Sequence, residues 1–135
     1  MRVAETYYPE RFIEFLEFMC EKHGVDRSQV FTEYSSKPPP PVKGSRLGYY
    51  DGLLSSRKKG NRIEFLITVF KIAQDPLLTL GHEFAHLVDD LKSQNIGKPL
   101  RPPDDARERE FDNRARLDLG EFIMQSKIDG LKRSH

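Results

Sequence analysis

Chemistry concentrates between Asp75 and Asn95, DPLLTLGHEFAHLVDDLKSQN, where His82-Glu83-Phe84-Ala85-His86 forms an HExxH pattern. On a helix, two histidines four residues apart lie on one face, one above the other, so both imidazoles reach a single ion. Glu83 sits about 100° round from His82, within reach of a water beside that ion, as a general base must be.

The pattern has this meaning only on a helix, and the flanking residues predict one. Asp75 suits the N-cap and Pro76 the first helical position, while Asn95 and Gly97 supply a stop. Stepping about 100° per residue, Thr79, His82, Glu83, His86, Asp89 and Asp90 share a polar arc. Leu77, Leu80, Phe84, Leu87, Val88 and Leu91 lie opposite. The helix is expected to pack on a core with one face and offer its histidine pair to a cleft with the other. Two surface histidines spaced by chance are the plain alternative, but the chain has only 4 His, and half of them fall here.

A catalytic zinc takes three protein ligands and leaves a position for water. The third is sought in Glu108-Arg109-Glu110-Phe111-Asp112-Asn113-Arg114-Ala115. Asp104 and Asp105 are read as caps of a helix running to about Gln125. On that helix Phe111, Asp112, Ala115, Leu119, Phe122 and Ile123 fall within about 60° of Glu108. Glu108 and Asp112 thus share the inward face, where paired carboxylates are costly unless compensated. A cation held by Glu108, with Asp112 accepting the far N–H of a ligand histidine, would compensate them. Pairing with the helix's own arginines is the alternative, and Glu110 is expected to point to solvent.

HExxH followed by ExxxD on a later helix resembles the gluzincin metallopeptidases, and EREFDNRA resembles the corresponding segment of ImmA/IrrE-like peptidases. The short chain also resembles the minimal archaeal gluzincins. The resemblance covers roughly residues 60–125 and implies Zn2+, with His82, His86 and Glu108 as ligands, Glu83 as general base and Asp112 orienting a ligand imidazole. Asp112 stands where the ImmA-like motif commonly has Asn, and Phe111 where a small residue is usual. Asp89 and Lys92 occupy the Gly and His positions of the metzincin pattern, which excludes that family. The implied activity is zinc-dependent hydrolysis of a peptide or protein substrate. In such a family the strand before the zinc helix, Arg62 to Phe70, would accept the peptide as an added strand. Tyr49, Tyr50, Arg114 and His135 all remain open as oxyanion donors. A non-catalytic zinc domain that binds a protein or nucleic acid is the rival reading, against which the intact Glu83 argues.

The rest of the chain must position these groups. At 135 residues, with 37% hydrophobic and 32% charged residues, it reads as a single domain, 1–135, with one core and a charged surface. A net charge of +1 leaves no nucleic-acid footprint, and no apolar run approaches a membrane span. The N-terminus lacks the apolar stretch of a signal peptide, which points to the cytoplasm. Cys20 is the only cysteine; it is expected to be a small core residue, with a thiolate ligand as the sharper alternative.

The expected fold class is α+β: an N-terminal helix, a small antiparallel sheet, the HExxH helix and a glutamate helix beside it. The first helix is expected over Pro9 to Lys22, with Phe12, Ile13, Leu16, Met19 and Cys20 inward. Strands are expected over Val30 to Tyr34, Leu47 to Leu54 and Arg62 to Phe70, the last two joined by the basic loop 55–61. Pro38 to Pro41 reads as an extended connector. The tail from Gly130 to His135 is expected to fray in solvent, or to reach the metal through His135.

Overall fold

The computed structural model describes residues 8–40, 50–97 and 105–133. Among these residues it is an α+β structure of three α-helices and a three-stranded mixed sheet. The order is α1 (Phe12–His23), a 3-10 turn (Arg27–Gln29), β1 (Val30–Ser35), β2 (Gly52–Lys59), β3 (Arg62–Phe70), α2 (Pro76–Ser93) and α3 (Asp105–Arg133).

α1 begins at Phe12, the first residue of its apolar stripe, and not at the expected Pro9, because Arg11, at φ 63°, is left-handed and stands outside the helix as its N-cap. Gly24, at φ 67°, ends it by returning its N–H to the last turn. Phe12, Phe15, Leu16, Met19 and Cys20 are buried. Cys20 is 3% exposed, and burial pushes its thiol up to about 11, so it behaves as an inert core residue.

The sheet is not wholly antiparallel as expected. β1 runs parallel to β3, Val30 opposite Phe65 and Ser35 opposite Phe70, while β2 is antiparallel to β3. The order β1-β3-β2 puts the last strand of the sequence in the middle. Both edges of Arg62–Phe70 are therefore already hydrogen-bonded, and this strand cannot receive an added peptide. Among the described residues only β1 and β2 have outer edges.

β2 is also displaced from its expected position. It covers Gly52–Lys59, and the expected residues Leu47 to Tyr49 lie outside the described residues. The basic stretch Arg57-Lys58-Lys59 belongs to the strand, with Gly60 (φ 63°) and Asn61 alone turning the hairpin. Arg57 faces its cross-strand partner Glu64 at 2.8 Å. Within the expected proline connector, Pro38 to Pro40 have no regular structure, and Pro41 lies outside the described residues.

One face of the sheet carries Val30, Leu54, Phe65, Ile67 and Val69 into a core shared with α1 and with Leu80, Phe84 and Leu87 of α2. On the other face Phe31 is 50% exposed. α3 adds Phe122 to the core. Near it the buried Asp118 is held by α1: Lys22 Nζ lies 2.6 Å from Oδ1 and His23 Nε2 2.7 Å from Oδ2.

α3 is longer than expected, continuing to Arg133. Gly130 to Arg133, expected to fray, are helical; Ser134 and His135 lie outside the described residues. Ile123, expected inward, is exposed with Leu117, Met124 and Ile128. No helix among the described residues is long and apolar enough to cross a membrane.

Candidate metal centre

α2 is set up locally, as its sequence implies. Asp75 accepts a hydrogen bond from Leu78 N–H at 3.1 Å, and Pro76 occupies the first turn. The stop is Gln94, left-handed at φ 60°, one residue before the expected Asn95. Leu80, Phe84 and Leu87 enter the core, which turns His82 and His86 towards α3.

The two helices meet through very small residues. A Cβ on Gly81 would lie 3.0 Å from Ala115 Cβ and 3.3 Å from Ala115 Cα, closer than ordinary carbon contact. This contact brings the residue before His82 against the residue one turn after Asp112, and so sets the separation of the two carriers.

Across that seam the predicted residues converge. Glu108 Oε2 is 2.5 Å from His82 Nε2, and Glu108 Oε1 is 3.2 Å from His86 Nε2. The two Nε2 atoms are 3.2 Å apart. His82, His86 and Glu108 thus each offer one donor atom to a common point. A tetrahedral ion with ligand bonds near 2.0–2.1 Å needs neighbouring ligand atoms about 3.3 Å apart, and the two imidazole Nε2 atoms, at 3.2 Å, match that.

The hydrogen bonding gives an independent test of whether a cation fits. Asp112 Oδ1 lies 2.6 Å from His82 Nδ1, so Nδ1 donates to it. In the neutral ring Nε2 is then a bare lone pair, 2.5 Å from a lone-pair oxygen of Glu108. Something positive belongs between them. In the metal-free protein that is a second proton: His82 is pushed up to about 9 from 6.5. Burial works against that shift, but the Glu108 hydrogen bond and the charges of Glu83, Glu108 and Asp112 outweigh it. Glu108 is held well below the usual carboxylate range: its burial opposes this, and His82 and His86 override it. A divalent ion would meet the same demand.

Glu83 is 9% exposed, and burial raises its carboxyl above the ordinary range against the pull of His86 and His82. Such a shift suits a proton acceptor working near neutral pH.

Two neighbours were not anticipated. Gly52, at the start of β2, packs so closely that its Cβ would come within 2.8 Å of Thr79 Cγ2 and 3.1 Å of Glu83 Cγ. Its signal was a glycine inside a strand, which marks close approach. Asp51, beside it, has a carboxyl raised by burial and within electrostatic reach of His82.

The other candidates are elsewhere. Asp105 is exposed at the head of α3, and Asp104, Tyr49 and His135 lie outside the described residues. Glu110 is exposed and paired with Arg114 at 2.5 Å, which commits that arginine away from an oxyanion role. Tyr50 is half-buried, its N–H bonded to the Pro40 carbonyl. The chain matches no family model, no curated protein and no solved structure.

Proposed function

We propose that this protein is a zinc-dependent peptidase of gluzincin-like design, with His82, His86 and Glu108 as ligands and Glu83 as general base. The observation that carries the reading is the approach of two Nε2 atoms and one carboxylate, from two different helices, to within 3.2 Å of one another. Two imidazoles and a carboxylate favour zinc, and three protein ligands leave a position open. An ion so held supplies a Lewis acid that activates water and polarises a carbonyl.

The residues of the chain do the rest. Glu83 takes a proton on its carboxylate and passes it to the leaving amine, a role that an elevated pKa favours. Asp112 accepts from His82 Nδ1, which keeps that ring in the tautomer with Nε2 free and fixes its orientation. The outer edge of β2, which begins at Gly52 against Glu83, replaces β3 as the edge on which an extended substrate would pair.

The test begins with metal analysis of protein purified without added zinc, alongside His82→Ala and Glu108→Ala. The wild type should carry close to one zinc per chain and both variants much less. Glu83→Ala should retain zinc and lose cleavage of unfolded protein substrates. Wild type without zinc ends the metal reading. Zinc retained with no cleavage of any peptide would instead support a non-catalytic zinc domain.

A further inference from the structure

The two histidines are held in different ways. His82 is tied at both nitrogens, with Asp112 on Nδ1. Both contacts of His86 to its neighbours run through Nε2, to His82 and Glu108. An imidazole tied at one nitrogen can still swing about its side-chain torsions, yet this ring must keep Nε2 on the common point.

Phe111 supplies the missing constraint. Its ring centroid lies 4.3 Å from that of His86, with the planes at 59°, and 6.2 Å from His82, edge-on at 88°. The Arg107 guanidinium sits 5.0 Å from the Phe111 centroid and that of Arg114 5.5 Å. Those arginines are anchored in turn by Asp89 and Glu110. Phe111 is only 1% exposed, yet it stands outside the cluster that forms the main hydrophobic core. The imidazoles and guanidiniums beside it are partners that an aromatic face and edge suit and an aliphatic side chain does not.

We infer that Phe111 is the positioning residue for His86, a flat and immobile wall that fixes the plane of the second imidazole where Asp112 fixes the first. The inference rests on the metal-centre reading and adds to it a residue that touches neither metal nor substrate. It explains why a large ring stands one position before Asp112 on the inward face of α3. Leucine could fill much of the volume, but its flexible branches present no plane.

The experiment compares Phe111→Leu, Phe111→Tyr and, as a control, Phe12→Leu, which removes a buried ring of α1 whose aromatic partners are Tyr8 and Tyr34. Zinc affinity is read by competition with a chromophoric chelator, the melting of metal-free protein by circular dichroism, and ligand geometry from the visible spectrum with Co2+. Phe111→Leu should bind zinc at least about 10-fold more weakly, the scale on which residues supporting a ligand act, and should alter the Co2+ bands. Phe111→Tyr, which keeps the ring, should retain wild-type zinc affinity even where it melts lower. Phe12→Leu should melt lower with zinc affinity unchanged. Wild-type affinity and spectrum in Phe111→Leu overturn the inference, as does affinity that simply follows melting temperature across all three.

Should wild type bind no zinc, or Phe111→Leu not fold, proton NMR of the metal-free wild type decides. The His86 ring protons should be displaced by the Phe111 ring current into a single sharp set. Random-coil positions overturn the inference.

Discussion

Gly81→Ala tests how closely the helices that carry the proposed ligands must approach, because two effects of opposite sign act on it. Replacing a helix-interior glycine by alanine should stabilise α2 by about 0.5–1 kcal/mol. Against this, the new methyl would lie 3.0 Å from Ala115 Cβ and 3.3 Å from its Cα. Ordinary carbon contact begins near 3.5–4.0 Å, so the helices must part by a few tenths of an ångström. These are not flexible side-chain ends that can swing aside, and overpacking of this kind costs about 1–3 kcal/mol. The expected balance is a net loss of roughly 1 kcal/mol, lowering Tm by a few degrees. The same parting would lengthen the 3.2 Å spacing between His86 Nε2 and Glu108 Oε1 by a similar amount, beyond the roughly 3.3 Å that a tetrahedral zinc site needs. Zinc affinity should therefore fall by more than the stability loss alone explains. Thermal melting of metal-free protein and zinc competition against a chelator measure the two parts separately. A variant that melts higher than wild type and binds zinc equally well refutes the reasoning, since helix propensity would then be the whole effect.

Other outcomes follow from the same geometry. In metal-free protein the raised His82 contributes stability that is fully present below its ordinary 6.5 and is lost as pH rises through about 9. The lowered Glu108 contributes stability present above its ordinary 4.5 and lost as pH falls below it, so metal-free melting temperature should decline on both sides of that window. Between pH 6.5 and 9 zinc must displace the His82 proton, so calorimetry in buffers of different ionisation enthalpy should find nearly one proton released, and none well above pH 9. Gly52→Ala should press on Thr79 and Glu83 and destabilise the fold by about 1–3 kcal/mol. With Glu83 displaced and the ligands untouched, it should also reduce peptide cleavage more than zinc content, by comparison of turnover with bound metal.

The parts of the site that could be read from the chain are those decided within one helix. Asp75, Pro76 and the spacing of Leu80, Phe84 and Leu87 specify the start of α2 and the way its histidines face. That Glu108 and Asp112 turn towards α2 follows from Phe111, Ala115 and Phe122 on the same helix, but both carboxylates stay partly exposed at the seam instead of entering the core. What could not be read depends on partners distant in sequence. Nothing local in Val30–Ser35 tells whether it will run parallel or antiparallel to Arg62–Phe70. The outer part of β2 is polar because it is an edge strand, so Ser55 to Lys59 resembled a loop. The exposed Ile123, Met124 and Ile128 break the expected inward stripe of α3, which hid its true end. The Gly81–Ala115 contact is invisible in either helix alone.

The central position of β3 also governs the order in which the molecule can assemble. The β2–β3 hairpin closes across Gly60 and Asn61, a minimal loop, whereas pairing Val30 with Phe65 must first close the whole intervening chain, at greater entropic cost. β3 then leads into α2 after only the short link 71–75. The hairpin and the helix it feeds should consequently form a nucleus, onto which α1 and β1 attach later as an arm. Native-state hydrogen exchange reads this directly: amides of β1 should open at lower free energy than those shared by β2 and β3, and uniform protection across the sheet would show that arm and nucleus unfold as one.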